Sequence, residues 1–293
     1  MADSAATFAG RTAIVTGSGR NIGRAIALAF AAAGANVVVN GHRDRDAVDG
    51  VVREIEQAGG RAYGVMADVS SHEQVEDMVR QCVQRFGSVD IAVSNVGIRR
   101  MQPFLDISLE DWDTVLATNL TAAFYLARNV IPHMRNKKWG RIVLISGFDG
   151  FWSQVTQRAH NITCKAGLHG LAKALAREFG PDGITANTVA PGAIDTVRDW
   201  SQYKHQPREK IEAEIPLGRF GEAAEIAAAC AMLGSEGGGF VSGQVVHWQR
   251  LVQCRSPLQG TAARATCAAA CDACGRCAAD APGAIRMVKG LPV

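Results

Sequence analysis

The segment 12–30 constrains the fold of this chain most, because it joins a strand pattern to a helix pattern through a glycine-rich turn. A short apolar run at 13–15 is typical of a buried strand. It is followed by turn glycines and by apolar residues at helical spacing: Gly17, Gly19 and Gly23, then Ile22, Ala25, Ile26, Ala29 and Phe30. Glycines allow close approach of a ligand, and a helix start presents free N–H groups. The unit therefore predicts a pyrophosphate site, with an ordinary βα turn as the alternative.

The alternation of strand and helix continues to residue 248. Strand patterns lie at 35–40, 61–67, 91–94, 141–146, 184–189 and 244–248. Helical patterns lie between them, around 48–55, 75–83, 112–134, 161–179 and 223–233. Because the two kinds of element alternate strictly, we predict an α/β fold. It is a Rossmann-type, doubly wound parallel sheet in a single domain, with helices on both faces.

Composition and charge narrow the classes of function. With 293 residues and 47% hydrophobic content, the chain is long enough to bury a sizeable core. A formal net charge of +3 is too small to predict a nucleic-acid surface. No apolar run approaches the length of a membrane span, and the N-terminus shows no secretory signal. We therefore expect a cytoplasmic protein with neither a nucleic-acid nor a membrane partner.

The segment 249–293 departs from this pattern. It is rich in alanine, arginine and cysteine and has no sustained apolar periodicity. Four of its cysteines are spaced as in zinc or iron–sulfur sites: Cys267, Cys271, Cys274 and Cys277. However, the segment lacks the histidines and hydrophobic residues of a small metal fold, and it reads like an out-of-frame translation of GC-rich coding sequence. We predict a domain at 1–248, no metal site, and a tail that is disordered or frameshift-derived.

Several short motifs follow one another along the chain. The turn at 16–23 reads TGSGRNIG, and Asp68 and Val69 follow the third strand pattern. Ser94, Asn95, Val96 and Gly97 follow the fourth, Asn119 lies in the helix predicted at 112–134, Lys165 begins the run Lys-Ala-Gly, and Pro191 and Gly192 precede Thr196.

In this order the motifs resemble those of the short-chain dehydrogenase/reductase family, close to the β-ketoacyl-carrier-protein reductase type. The turn is similar to the family's TGxxxGxG, with Asn21 where the middle glycine usually stands. The resemblance makes Asp68 and Val69 the adenine-contacting pair, 94–97 a variant of NNAG, and Asn119 the helical active-site asparagine. It makes Lys165 the lysine of YxxxKAG, and Pro191, Gly192 and Thr196 the loop that holds the nicotinamide carboxamide. The resemblance covers about 8–247 and implies a nicotinamide cofactor, a small-molecule substrate and a homodimer or homotetramer.

The resemblance also implies a set of cofactor-binding residues. They are Gly17, Ser18, Gly19, Arg20, Asn21, Ile22, Gly23, Arg43, Asp68, Val69, Asn95, Val96, Gly97, Lys165, Pro191, Gly192 and Thr196. An acidic residue at the end of the second strand would favour NAD, but 40–43 contains none. Guanidinium groups of Arg20 and Arg43 could instead clamp a 2′-phosphate. The expected cofactor is NADP, with NAD possible, and the alternative is that both arginines are solvated.

The catalytic part of the family pattern is incomplete. In the family, a tyrosine four residues before the lysine donates a proton and a serine polarises the carbonyl. Here Asn161 stands four residues before Lys165, and a carboxamide has no proton to give near neutral pH. Counting back three residues from Gly150 places Gly147 at the serine position. The neighbouring Ser146 would point to the other face of the strand, so it is only a possible substitute.

Three functions remain open. The first is an NAD(P)-dependent oxidoreductase that transfers hydride between NADP(H) and a carbonyl or alcohol, with catalytic candidates Asn119, Ser146, Asn161 and Lys165. Its proton could come from His160, Asp149 or water, although we expect His160 to face solvent at the helix start. The second is a similar reaction on an activated C=C or C=N bond, which needs no ordinary acid. The third is a catalytically weak or silent NADP(H)-binding protein that acts as a sensor or partner subunit.

Two further regions bear on the substrate and on assembly. The polar segment 195–214 predicts a mobile lid over the strand ends. Five of its residues could contact an acidic or aromatic substrate, with a solvated lid as the alternative: Trp200, Tyr203, Lys204, His205 and Arg208. The helices predicted at 112–134 and 161–179 carry the apolar faces expected to form an interface between copies.

Overall fold

The computed structural model describes residues 8–151, 153, 155–197, 207–213, 215, 217–248, 287–288 and 291–292. The predicted tail, with its cysteines, lies outside these residues except for Met287–Val288 and Leu291–Pro292, which pair as short antiparallel strands. The centre of the predicted lid also lies outside them, including Trp200, Tyr203, Lys204 and His205. The chain divides into Met1–Gln249, which contains the whole parallel sheet, and Arg250–Val293.

In the described part of the chain, seven parallel strands form the central sheet. The strands, in chain order and with a small separate pair included, are β1 (Thr12–Val15), β2 (Asn36–Gly41), β3 (Arg61–Met66), β4 (Ile91–Ser94), β5 (Gly140–Ile145), β6 (Ile184–Pro191), β7 (Ile194–Asp195), β8 (Gly221–Glu222) and β9 (Val245–Trp248). The spatial order of the large sheet is β3-β2-β1-β4-β5-β6-β9, and β7 pairs with β8. The order reverses direction between β1 and β4, which is where such sheets bind ligands. The predicted doubly wound, single-domain α/β fold is therefore confirmed.

Helices cover both faces of the sheet. They are α1 (Asn21–Ala32), α2 (Arg45–Gln57), α3 (His72–Phe86), α4 (Leu109–Leu116), α5 (Ala122–Lys137), α6 (Ala159–Phe179), α7 (Arg208–Ala213) and α8 (Ala223–Gly234). Side chains alternate along β1: Val15 joins the core under α1, α2 and α8, whereas Ile14 joins the core under α3, α5 and α6. Burying one such aliphatic side chain contributes roughly 1.5–3 kcal/mol to stability.

The helix predicted at 112–134 is longer and contains a local irregularity. It runs from α4 into α5 through a π-helical turn, Ala117–Thr121, that contains Asn119. A π turn inserts an extra residue and re-aims the side chains beside it, and such turns occur often at functional sites. Across the described residues, no helix is both long and apolar enough to cross a membrane.

Candidate active site

The glycine-rich turn after β1 is too crowded for most side chains. Gly17 adopts a φ of +62°, and a Cβ atom there would lie 2.8 Å from Cγ2 of Val96. A Cβ atom at Gly23 would overlap the carbonyl oxygen of Gly17. Only glycines leave the backbone of this turn open to a ligand, so the turn fits the pyrophosphate of a dinucleotide.

Asn21, which stands where the family usually has a glycine, adopts a backbone conformation that favours glycine. Its φ is +50°, in the left-handed region that asparagine tolerates better than most residues. Its side chain also reaches the segment after β7, because Oδ1 accepts a hydrogen bond from the N–H of Val197 at 3.1 Å. The resemblance assigns that segment, with Thr196, to the nicotinamide end of the cofactor. The substitution therefore adds a link between two parts of the cofactor site.

Asn40, at the end of β2, holds the turn in place, and our sequence analysis missed it. Its Oδ1 accepts from the Gly17 N–H at 3.1 Å, and its Nδ2 donates to carbonyls of the neighbouring strand end. Ser18 contributes to the same arrangement: its hydroxyl donates to the Val15 carbonyl and accepts from the Asn40 N–H. The Ser18 hydroxyl therefore shapes the turn from within. A polar residue at the end of the apolar run 37–39 was the available signal.

The far end of the predicted cofactor site lies at the ends of β2 and β3. The Asp68 carboxylate accepts hydrogen bonds from the Ser70 N–H and hydroxyl at 2.9 and 2.7 Å. Burial raises the pKa of Asp68, but the Ser70 hydrogen bonds and the charges of His42 and Arg43 together hold it below its usual value. Arg43 is thus close to the predicted adenine contact. The side chain of Val69 is buried in the core, which leaves its backbone to face a ligand.

The position that carries an NAD-selective carboxylate has no room for one. Gly41 ends β2, and a Cβ atom there would overlap Cγ2 of Val48. A side chain at this point would require the Val48 side chain to move. This crowding agrees with the absence of an acidic residue at 40–43.

The loop after β4 connects the glycine turn to the catalytic candidates. Asn95 donates from Nδ2 to the carbonyls of Thr16 and Gly17 at 3.0 and 3.2 Å. Asn119, in the π turn, forms hydrogen bonds with both backbone groups of Ile98. Its Oδ1 accepts from the Ile98 N–H and its Nδ2 donates to the Ile98 carbonyl, both at 2.8 Å. These bonds fix the loop that crosses the carboxyl ends of the strands.

Asn161 binds the same loop. Its Nδ2 donates to the Ile98 carbonyl at 2.6 Å, and its Oδ1 accepts from the Arg100 N–H at 3.3 Å. Both ends of the carboxamide are therefore bonded to the backbone. Where the family has a proton-donating phenol, this chain has a group that holds a loop.

Lys165 lies at the centre of the predicted site. Its Nζ donates to the Ile145 carbonyl at 3.1 Å, and a Cβ atom at Gly97 would be 3.5 Å from Nζ. Burial, and then the charge of Arg99, lower the pKa of Lys165 to about 8. Gly147 faces the lysine stem, since a Cβ atom there would lie 3.6 Å from Lys165 Cγ. The serine position of the family thus faces the site but carries no side chain.

Ser146 is placed away from Lys165. Its hydroxyl lies 2.9 Å from Nε2 of His169 and 3.3 Å from the Val189 carbonyl, and the residue is 5% exposed. Burial, and then nearby positive groups, lower the pKa of His169 to about 4, so it is neutral at pH 7. This geometry argues against Ser146 as the group that polarises a carbonyl. The partner His169 was not singled out by sequence.

The expectation that His160 faces solvent is wrong. The residue is 0% exposed, although it lies in the first turn of α6, which begins at Ala159. Nδ1 accepts from the Asn161 N–H at 3.0 Å, and Nε2 lies 3.2 Å from Oε1 of Gln102. Burial lowers the pKa of His160. The other suggested proton source, Asp149, forms an ion pair with Arg158 at 3.5 Å.

The described residues contain no group of three or more histidine, cysteine, aspartate or glutamate side chains able to hold a metal. Their cysteines, Cys82, Cys164 and Cys230, are free and buried. Burial raises the pKa of Cys82 to about 12 and that of Cys164 to about 11. These thiols are therefore packing groups rather than nucleophiles.

Comparison with known proteins identifies the family of the chain. The family model described as enoyl-(acyl carrier protein) reductase matches residues 17–249. A 3-oxoacyl-[acyl-carrier-protein] reductase FabG of Staphylococcus epidermidis is 37% identical over 238 residues, covering 81% of this chain and 96% of the relative. That of Aquifex aeolicus is 39% identical over 239 residues, covering 81% and 95%.

A solved structure gives the same result. The crystal structure of a dehydrogenase/reductase from Sinorhizobium meliloti 1021 superimposes with a TM-score of 0.76 at 35% identity, covering 82% of this chain and 94% of that one. The fold and the glycine-rich turn are those of a dinucleotide-binding protein, and the relatives make the chain an oxidoreductase. More narrowly, the chain belongs to the short-chain dehydrogenase/reductase family and is similar to its β-ketoacyl-carrier-protein reductases.

Proposed function

We propose that this protein is an NADP(H)-dependent reductase of a carbonyl, or of an activated C=C or C=N bond, with Lys165 as its proton donor. The observation that carries the proposal is the position of the half-buried Lys165, whose stem lies against Gly147 and whose Nζ lies beside Gly97. Desolvation there, and then the charge of Arg99, lower its pKa to about 8. A general acid is most effective when its pKa is near the working pH. Neither Gly147 nor Asn161 can supply a proton.

The reaction requires a hydride and a proton on opposite ends of the reduced bond. A nicotinamide held at the glycine-rich turn would supply the hydride. The Lys165 ammonium gives a proton from Nζ to the developing alkoxide and regains one from solvent. Asn119 and Asn161 hold the 98–100 loop over the site through their hydrogen bonds to Ile98 and Arg100. Such positioning is a standard source of catalytic rate.

The test is NADPH consumption on a panel of a ketone, an enone, an imine and a 3-oxoacyl thioester, which is the substrate type named for the relatives. We expect turnover on at least one compound and its loss in Lys165→Met. Lys165→Arg keeps the charge but cannot release a proton, so it should be as slow as Lys165→Met. If Lys165→Arg keeps the wild-type rate, Lys165 is not the acid.

For the cofactor, we propose NADP rather than NAD. Crowding at Gly41 and the charge of Arg43 near Asp68 support this choice, and Arg20 in the turn would be the second cation. Titration of NADPH and NADH by fluorescence quenching should show tighter binding of NADPH. Arg43→Gln should weaken NADPH about tenfold and leave NADH unchanged. Arg45→Gln, on a neighbouring residue paired with Asp49, is the matched control.

A catalytically silent NADP(H)-binding protein is the second candidate. It is favoured by the carboxamide of Asn161, both ends of which bond to backbone, and by the missing side chain at Gly147. Tight NADPH binding without turnover on any compound of the panel would establish this role. Turnover that depends on Lys165 would exclude it.

We further propose a homodimer or homotetramer in the cytoplasm. Apolar side chains on the helices expected at the interface are exposed, Leu109 at 84% and Phe124 at 46%. Light scattering should give a multiple of the 31.1 kDa chain mass.

We propose that segment 249–293 is a disordered or frameshift-derived tail outside the catalytic domain. Truncation after Trp248 should preserve cofactor binding, and resequencing of the gene around that codon tests the frameshift.

A further inference from the structure

Residues 192–197 form a strap that begins at the carboxyl end of β6, after Pro191. The strap contains β7, which pairs with β8. Ile194 is 3% exposed and joins the core under α1, α2 and α8. The Asp195 carboxylate accepts hydrogen bonds from both terminal nitrogens of Arg208, at 3.0 and 2.8 Å. The middle of the strap is therefore anchored by a strand pair, by the core and by an ion pair.

The far end of the strap is bonded to the glycine-rich turn by one side chain. Oδ1 of Asn21 accepts a hydrogen bond from the Val197 N–H at 3.1 Å, and Nδ2 donates to the Val197 carbonyl at 3.5 Å. The carboxamide thus uses its acceptor and its donor on a single residue of the strap. The Val197 side chain is 89% exposed, so this link depends on the backbone of the strap.

Asparagine suits this position for two reasons. The φ of Asn21 is +50°, a left-handed conformation that glycine, asparagine and aspartate adopt more readily than other residues. Of these three, glycine has no side chain to reach the strap, and an ionised aspartate has no N–H to donate to a carbonyl. Asn21 therefore combines the backbone conformation of the turn with a bond to the strap.

The strap spans the edge of the sheet at which a dinucleotide would lie. In the order β1-β4-β5-β6, α1 starts after the first strand and the strap starts after the last. Three strand intervals amount to roughly 14 Å, which six residues can bridge. Such sheets bind dinucleotides at the carboxyl ends of these strands. A dinucleotide held by the turn would therefore lie alongside the strap, and a strap fixed at both ends would hinder its departure.

We propose that Asn21 is a positioning residue that fastens the strap to the glycine-rich turn and thereby slows the dissociation of NADP(H). Asn21 acts through the backbone of Val197 and not on the reacting atoms of the cofactor. This inference rests on the proposed cofactor binding and adds to it a residue that controls the lifetime of the complex.

The test measures the dissociation rate of NADPH by stopped-flow fluorescence, with excess NADP⁺ as the displacing ligand. Asn21→Gly should raise this rate about fivefold, the usual effect of losing one or two hydrogen bonds, and change the association rate less than about twofold. Val197→Pro removes the N–H donor and should have a similar effect. The double variant should be no faster than Asn21→Gly alone, because both changes break the same link. Val197→Ala, which alters only an exposed side chain, is the matched control and should change the rate less than about twofold.

A second measurement examines the link without cofactor. The Val197 amide should exchange its hydrogen more slowly in the wild-type protein than in Asn21→Gly, since Oδ1 of Asn21 is its acceptor. Equal exchange, an equal NADPH dissociation rate, or additive effects in the double variant would each overturn the inference and leave the cofactor proposal intact. A wild-type protein that binds neither NADPH nor NADH would overturn the cofactor proposal, and the inference with it.

Discussion

The cofactor turn and the proton-donor region both depart from the family pattern, yet with different consequences. In the turn, Asn21 replaces a glycine and keeps the left-handed backbone, with φ +50°. Near Lys165, Gly147 and Asn161 replace a serine and a tyrosine, and the hydroxyl groups are lost with them. The turn works through backbone N–H groups, which a tolerated substitution preserves. The proton donor works through a side chain, which no backbone conformation can restore.

The largest effect is expected when both missing side chains are restored, in the double variant Gly147→Ser/Asn161→Tyr. Gly147 has an extended φ of −175° and only ordinary contacts around an added Cβ, so serine fits. We expect ketone reduction to rise on the order of a hundredfold to ten-thousandfold, the usual contribution of a positioned acid. The measurement is kcat with NADPH.

The matched control is Gly147→Ala/Asn161→Phe, which has nearly the same volume and loses the same loop contacts but lacks both hydroxyls. Equal rates in the two double variants, both folded and binding NADPH, would mean that a missing hydroxyl does not limit the reaction.

The cofactor turn should fail when its backbone path is blocked. In Gly23→Ala the added methyl overlaps the Gly17 carbonyl. Overpacking costs roughly 1–3 kcal/mol, which corresponds to about a fivefold to 150-fold loss of NADPH affinity if it falls on the bound state. Gly170→Ala, in open space on α6, should instead stabilise the chain by about 0.5–1 kcal/mol. Unchanged NADPH affinity in Gly23→Ala would contradict the proposal that the backbone of the glycine-rich turn binds the cofactor.

The pH dependence of kcat and that of cofactor binding should differ between the proton-donor region and the glycine-rich turn. Because the pKa of Lys165 is about 8, kcat should fall about tenfold per unit above that pH as the ammonium is lost. Cofactor binding at the turn, through backbone N–H groups, should not show this profile. A flat kcat between pH 7 and 9 would exclude Lys165 as the acid.

The contribution of Lys165 to the free energy of unfolding should increase with pH, whereas kcat decreases. The unfolded chain binds the Lys165 proton more tightly, with a pKa near 10.5, than the folded chain does. Between about pH 8 and 10.5 the unfolded state therefore holds more protons, and the contribution of Lys165 to the free energy of unfolding rises with pH. Urea unfolding of the wild type and of Lys165→Met at several pH values measures this difference.

The smallest effect is expected at Ser146, beside the vacant serine position. Ser146→Ala removes the hydrogen bond to His169 and should lower the free energy of unfolding by about 1 kcal/mol. It should change kcat less than about threefold, because the hydroxyl faces away from Lys165. Ser153→Ala, at an exposed serine, is the control. A large loss of kcat in a folded Ser146→Ala variant would show that Ser146 takes part in catalysis.

Much of the fold was predictable because its signals are local. Apolar runs at 13–15 and 91–94 and helical spacing between them predicted strands and helices that the structure contains. The site was only partly predictable. Asn161 was recognisable as a lost acid, but its partners Ile98 and Arg100 lie about sixty residues away in sequence. His160 was misjudged because its burial depends on a loop that the local pattern does not describe.

The sequence by itself determined the parallel α/β architecture, the dinucleotide turn and the absence of a tyrosine before Lys165, since these depend on periodicity, glycine positions and residue identity. Tertiary structure decided what the replacements do. It bonded both ends of Asn161 to a loop, directed Ser146 to His169, and placed the stem of Lys165 against Gly147. The reason is physical: a polar side chain finds its partner through packing of distant elements, and burial sets how tightly Lys165 holds its proton.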